Sequence, residues 1–150
     1  MKKIVLIIAA IVVLIVGGFL LTTFEYNTDP VDSSVLNNIT IDGHYNSKME
    51  VASYIHEFHK LPNNYMTKEK AKSVGWKGGS LDAYLSGYAI GGDVFTNRQG
   101  VLPGGHKYIE CDINTNGQSD RGAERIVYST DDFKIYYTDD HYATFTEITF

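Results

Sequence analysis

The chain has 150 residues, with 13 Lys and Arg against 18 Asp and Glu, for a formal charge of −5 at pH 7. That balance excludes a protein that holds nucleic acid by its overall field, which would be basic. The single cysteine, Cys111, excludes an internal disulfide, so stability must come from packing, for which 11 Tyr, 7 Phe and 1 Trp supply large apolar surfaces.

Met1-Lys2-Lys3 precedes residues 4–21, an unbroken run of apolar residues and glycine without a charge. Residues 1–23 therefore read as a signal peptide or a membrane anchor. The run is near the lower limit for crossing a bilayer and long for a signal core, and no Ala-x-Ala cleavage signal follows it. Both readings stand. Lys2 and Lys3 should stay in the cytoplasm, which puts the rest of the chain outside. The expected location is secreted, or tethered to the outer face of the cytoplasmic membrane by residues 4–21. Residues 24–44 mix Asn, Thr, Asp, Ser and Pro with few large apolar residues and read as a linker or pro-segment. Residues 45–150 are long enough for one small domain with a single core. From Tyr45 onward, 8 Lys and 3 Arg face 14 Asp and Glu, a net of −3, so any polyanion chemistry must rest on a local cluster.

Helical spacing of Met49, Ala52, Ile55 and Phe58 predicts a helix over 47–59, with Ser47 and Glu50 in a capping-box pattern and Pro62 beyond its end. His59 and Lys60 stand at its C-terminal end, where positive charge suits the exposed carbonyls. Thr67 caps a second helix that stops at Gly75; Lys68 lies in its first turn, where the helix dipole disfavours a cation, which hints at an anion nearby. Residues 80–85 suggest a third, short helix. From Ala89 the pattern becomes strands, over 89–94, 107–113, 125–129, 133–137 and 145–148, separated by turn signals such as Pro103-Gly104-Gly105 and Asn114-Thr115-Asn116-Gly117. Helices first and strands after predict an α+β fold, the N-terminal helices packed on a C-terminal antiparallel sheet.

Asp93 sits inside an apolar run that leads into the polar loop Thr96-Asn97-Arg98-Gln99-Gly100, so its carboxylate needs a partner. Glu110 and Asp112 alternate with Ile109, Cys111 and Ile113 and so share one face of a strand. Cys111 reads as a small buried hydrophobe. Arg121 and Arg125 face those carboxylates either as a structural ion-pair network or as part of a site. His141 and Tyr142 follow Asp139-Asp140 in a turn. One carboxylate, one histidine, two arginines, a lysine and a base-sized loop suit phosphodiester cleavage: one group takes a proton from a hydroxyl, another protonates the leaving oxygen, and cations hold the charge on phosphorus. That chemistry calls for no metal or other cofactor, and none is expected; no His/Cys/Asp cluster shows ligand spacing in the sequence.

His59-Lys60-Leu61-Pro62-Asn63-Asn64-Tyr65-Met66-Thr67-Lys68, Gly75-Trp76, Ile90-Gly91-Gly92-Asp93-Val94-Phe95-Thr96-Asn97-Arg98, Glu110-Cys111-Asp112-Ile113-Asn114, Arg125-Ile126-Val127-Tyr128-Ser129 and Thr138-Asp139-Asp140-His141-Tyr142-Ala143-Thr144-Phe145-Thr146 follow one another in a set order. Together they resemble the barnase family of microbial guanyl-preferring ribonucleases over roughly residues 45–148. The resemblance implies cleavage of single-stranded RNA through a 2′,3′-cyclic phosphate, then hydrolysis to a 3′-phosphate. It assigns Glu110 as general base and His141 as general acid, and Lys68, Arg121 and Arg125 as phosphate-binding cations. Asp93 and Asp112 organise the site, Tyr142 contacts substrate, and Phe95, Thr96, Asn97, Arg98 and Gln99 receive the base. It further implies a monomer and a barstar-like acidic inhibitor as partner.

Two departures qualify this. Gln99 stands where the family usually has a glutamate that accepts from guanine, and a neutral amide accepts without charge assistance, so guanine preference should weaken. The loops 76–91 and 100–110 are shorter than the family's, and the second has lost basic residues. The competing reading is a catalytically idle exported module that keeps the fold to bind nucleotides or a partner; a toxin aimed at neighbouring cells would share the chemistry.

Overall fold

A computed structural model describes residues 27–150; the expected signal peptide or anchor at 1–23 and the start of the segment 24–44 lie outside the described residues. The helices are α1 (Ser33–Leu36), α2 (Lys48–Phe58) and α3 (Lys68–Ser73). The strands are β1 (Thr28–Pro30), β2 (Tyr65–Met66), β3 (Ala89–Phe95), β4 (Tyr108–Asp112), β5 (Arg125–Ser129), β6 (Ile135–Thr138) and β7 (Thr146–Thr149).

The sheet has the order β1-β7-β6-β5-β4-β3-β2. Strands β3 to β7 form the expected antiparallel meander, but β1 pairs with β7 and β2 with β3 in parallel, so the sheet is mixed. Both edge strands come from the N-terminal half and hold three and two residues, too few to show a period of two in sequence. The segment expected as a linker or pro-segment thus folds onto the sheet from Thr28. Val31 donates its N–H to Thr149 O at 2.9 Å and packs against the main core, and Asp29 forms an ion pair with Lys48.

Alternation along β4 and β5 builds two layers. Cys111, Ile113, Ile126, Tyr128, Ile135 and Ile148 pack with Val51, Ala52 and Ile55 of α2, while Tyr108, Val127 and Tyr136 pack on the other face with Leu102. Each fully buried Ile or Val contributes on the order of 1.5–3 kcal/mol by leaving water. The Cys111 thiol lies in the first layer, and burial pushes its pKa far up, which keeps it inert. Gly91 lets β3 approach: a Cβ there would stand 2.6 Å from both Cys111 Cβ and Tyr65 Cδ1.

Helix α2 begins as predicted, although Ser47 donates to Glu50 Oε2 at 2.5 Å instead of capping a backbone N–H. His59 closes α2 in the left-handed region and stacks on Phe133, with centroids 4.0 Å apart. The predicted third helix is only a 3-10 turn, Leu81–Ala83. There the Asp82 carboxylate accepts from the N–H groups of Gly87 and Gly117, pinning the chain to another loop and ending the helical run. Strand β6 starts at Ile135, not at 133, because Phe133 takes a φ of 54° in the preceding turn.

Candidate active site

The face of β4 that carries Tyr108 also carries Glu110 and Asp112. Glu110 pairs in register with Asp93 on β3 and Val127 on β5. Its Oε1 lies 3.7 Å from Lys68 Nζ, with the carboxylate side chain 13% exposed. Lys68 opens α3, and its backbone N–H donates to Asp93 Oδ2 at 3.0 Å. Asp93 therefore answers the start of α3, a bond that offsets the unfavourable place of a lysine there. The expected partner of Asp93 is a helix N–H rather than a side-chain cation.

Asp112 is buried and grips Arg121 with two bonds, Nε to Oδ2 and Nη2 to Oδ1, both 2.8 Å. That grip raises the Arg121 pKa above its ordinary value, Asp112 being the main cause. Arg125, 3% exposed, brings Nε to 3.1 Å from Asp112 Oδ1. The charges attract at that distance, but the N–H is not aligned for a hydrogen bond, and Nε is the one buried side-chain polar atom without such a bond among the described residues. Its Nη1 is instead held by three carbonyls, those of Arg121 and Gly122 at 3.1 Å and Glu124 at 2.7 Å. Two cations are thus fixed on Asp112, two positions along β4 from Glu110, with no reorganisation needed when negative charge arrives.

His141 and Tyr142 come from the loop after β6, with φ of 56° and 73°. His141 is exposed, and its N–H donates to Ala123 O at 3.2 Å, which ties this loop to the one bearing Arg121. The Tyr142 ring lies 6.0 Å from Arg125 Cζ. Burial first, then the Glu110 charge, pushes the Tyr142 pKa well up, partly offset by Arg125.

In the predicted base loop, Phe95 stacks on Tyr142 with centroids 5.1 Å apart. Thr96, Arg98 and Gln99 are exposed. Asn97 closes the loop on Leu102 through its amide, Nδ2 donating to Leu102 O at 2.9 Å and Oδ1 accepting Leu102 N at 3.1 Å. Leu102 was not foreseen, since nothing in its own sequence neighbourhood marks it as the loop's anchor. Asp140 was read only as a turn residue; its carboxylate in fact binds three groups of the His141 loop.

Among the described residues, one group offers metal-ligand spacing, His106, Asp131 and Asp132, which are too far apart in sequence for a motif. His106 Nδ1 lies 2.8 Å from both Asp131 oxygens, on the turns at the opposite end of β4 from Asp112. A hollow of about 430 Å³ lies on the helix side of the sheet, bordered by Leu61, Met66, Ile109 and Tyr128. It includes none of the predicted catalytic residues. Glu110, the predicted general base, lies with Asp112 on the opposite face, that of Tyr108. No helix among the described residues is long and apolar enough to cross a membrane.

A family model described as ribonuclease matches residues 48–149. The chain is 43% identical over 130 residues to a ribonuclease of Bacillus intermedius, covering 84% of this chain and 74% of that protein. It is 47% identical over 102 residues to a ribonuclease of Heyndrickxia coagulans, covering 65% and 92% respectively. A 65-residue stretch is 42% identical to guanyl-specific ribonuclease Sa3 of Kitasatospora aureofaciens, covering 42% of this chain and 46% of that protein.

Proposed function

The chain belongs to the ribonuclease family, of the barnase type, and as an RNA-cleaving enzyme of that family we propose that it cuts single-stranded RNA 3′ of guanosine without a metal. The observation that carries this reading is the half-buried Glu110, paired with Lys68 at 3.7 Å and sharing its strand face with Asp112, which holds Arg121 and Arg125.

Glu110 takes the proton from the ribose 2′-hydroxyl, and the resulting oxygen attacks phosphorus. The bond to the 5′-oxygen breaks as His141 protonates it, leaving a 2′,3′-cyclic phosphate. Lys68, Arg121 and Arg125 hold the charge that builds on the phosphoryl oxygens. Hydrolysis reverses the roles: His141 takes a proton from water, and Glu110 returns one to the departing 2′-oxygen. Phe95, Thr96, Asn97, Arg98, Gln99 and Tyr142 receive the base, Asn97 also closing their loop on Leu102, and Asp93 and Asp112 fix the cations. Guanine preference draws support from the guanyl-specific relative, but Gln99 lacks the charge that would favour guanine's N–H groups. The apolar run 4–21 supports export, and a cationic site in an otherwise acidic domain supports a barstar-like acidic inhibitor acting on a monomer.

The test is cleavage of GpA, ApA, CpA and UpA by the purified protein in EDTA, with products read for the cyclic phosphate. Cyclic product mainly from GpA is expected. Product from several bases retires the guanyl preference alone, loss of activity in EDTA retires metal independence, and no cleavage by folded protein favours the idle binding module.

A further inference from the structure

The acid of the proposed mechanism stands on backbone that should not hold itself. His141 and Tyr142 are consecutive non-glycine residues in the left-handed region. Side chains leave that conformation unless their surroundings over-determine it. The surroundings here are one carboxylate and one buried hydroxyl. Asp140 Oδ1 accepts from Thr138 Oγ1 at 2.8 Å and from Thr144 N at 2.9 Å, while Oδ2 accepts from Thr144 Oγ1 at 2.5 Å. Thr138, 1% exposed at the end of β6, uses the same Oγ1 to accept the Tyr142 N–H at 3.1 Å. A bond chain therefore runs from Tyr142 N through the Thr138 hydroxyl to Asp140 and across to Thr144. It closes the loop around His141 from both sides.

We propose that Asp140 is a positioning residue of the enzyme: with Thr138 and Thr144 it clamps the loop so that His141 and Tyr142 are presented together towards Glu110 and Arg125. The inference rests on the reading of His141 as general acid. Asp140 itself touches no reacting atom. Its two oxygens are occupied within the loop, and nothing in the proton transfers uses them. The carboxylate suits the task because it remains charged: the Thr144 hydroxyl, as the main cause, holds its pKa down at about 2. The clamp is then intact at neutral pH. The His141 backbone N–H bond to Ala123 O extends the same frame to the loop that carries Arg121.

The experiment compares the purified parent with Asp140→Ala, Asp140→Asn, Thr144→Val and His141→Gln, reading kcat, KM and melting temperature on the best-cleaved dinucleotide. A misplacement of about 1 Å costs on the order of a hundredfold in rate, so Asp140→Ala should lower kcat by at least about tenfold at 25 °C, more than it raises KM. Asp140→Asn should recover most of that loss, because its amide oxygen still accepts from Thr138 and Thr144 and its NH₂ can donate to the Thr144 hydroxyl. Should Asp140→Ala fail to fold, Thr144→Val serves, with an expected fall of about threefold to tenfold since one bond of three is removed. A lowered melting temperature with unchanged kcat, or an Asn variant no better than Ala, overturns the proposal by reducing Asp140 to a structural role. A parent that cleaves RNA while His141→Gln keeps its rate overturns the acid assignment and this inference with it. A folded parent that cleaves nothing overturns the function itself, a result distinct from either.

Discussion

Asp112→Ala removes one carboxylate and leaves two cations behind. Asp112 is 1% exposed and Arg125 is 3% exposed, whereas the Arg121 side chain keeps 22% of its surface in water. Arg121 can turn outwards and recover hydration; Arg125 cannot. The three carbonyls around its Nη1 remain, but they are dipoles and do not cancel a charge. Removing one partner of a buried pair costs about 3–5 kcal/mol. That is a large part of the roughly 5–15 kcal/mol by which a domain is stable. With a urea slope of about 2 kcal/mol per molar, the midpoint should fall by about 2 M at pH 7. The transition is followed by fluorescence of the buried Trp76 and by circular dichroism. Arg121→Ala and the double variant complete a cycle, in which the doubly bonded pair should couple by about 1.5–3 kcal/mol. A loss below about 1 kcal/mol at unchanged slope refutes the view that Arg125 depends on Asp112 for its place.

Glu110→Ala and His141→Ala should each slow RNA cleavage by about 10²–10⁴-fold with unchanged circular dichroism, and each should remove one limb of the pH–rate profile; parent rates in both refute the acid–base pair. Asp131 has its carboxyl pKa lowered from 3.8 to about 2, chiefly by the Ser129 hydroxyl and next by His106. Its stabilising share is therefore present above the ordinary value and lost as pH falls through about 2, so Asp131→Asn should be less stable than the parent at pH 6 and nearly equal to it at pH 2. An equal gap at both pH values in urea titrations refutes that. A chain beginning at Tyr45 should melt about 5–10 °C below one beginning at Asn27, because it lacks β1, the Val31–Thr149 bond and the Tyr54 hydroxyl's bond to Ile41 O. Equal melting temperatures refute a structural role for that segment.

Helix α2 and the five central strands were legible because each repeats its apolar period for several residues. The two edge strands were not, since their pairing depends on partners more than twenty residues away. In the site, alternation alone put Glu110 and Asp112 on one face. It left open which of them the arginines would serve, and the fold resolves this by giving both arginines to Asp112 and leaving Glu110 to Lys68. Asn97 was read as part of the base loop; that its amide also closes this loop on Leu102 depends on a distance that sequence does not carry. The loop clamp at Asp140 was invisible for a related reason. It exists to support two left-handed residues, and neither His nor Tyr announces a positive φ in sequence.

The short outer strands also bear on behaviour at high concentration. A sheet edge with free N–H and C=O groups invites pairing with another chain, and long flat edges are where aggregation begins. Here β7 would present such an edge if β1 did not lie along it, and β1 itself is three residues long and ends in Pro30, which has no N–H to offer. At the far side the exposed rim is the two-residue β2. Removing the first strand therefore does more than lower a melting point: it uncovers Thr146–Thr149 as a template. The truncated chain should form higher-order assemblies in a concentration-dependent way while the longer chain stays dispersed, which light scattering on the two side by side will reveal.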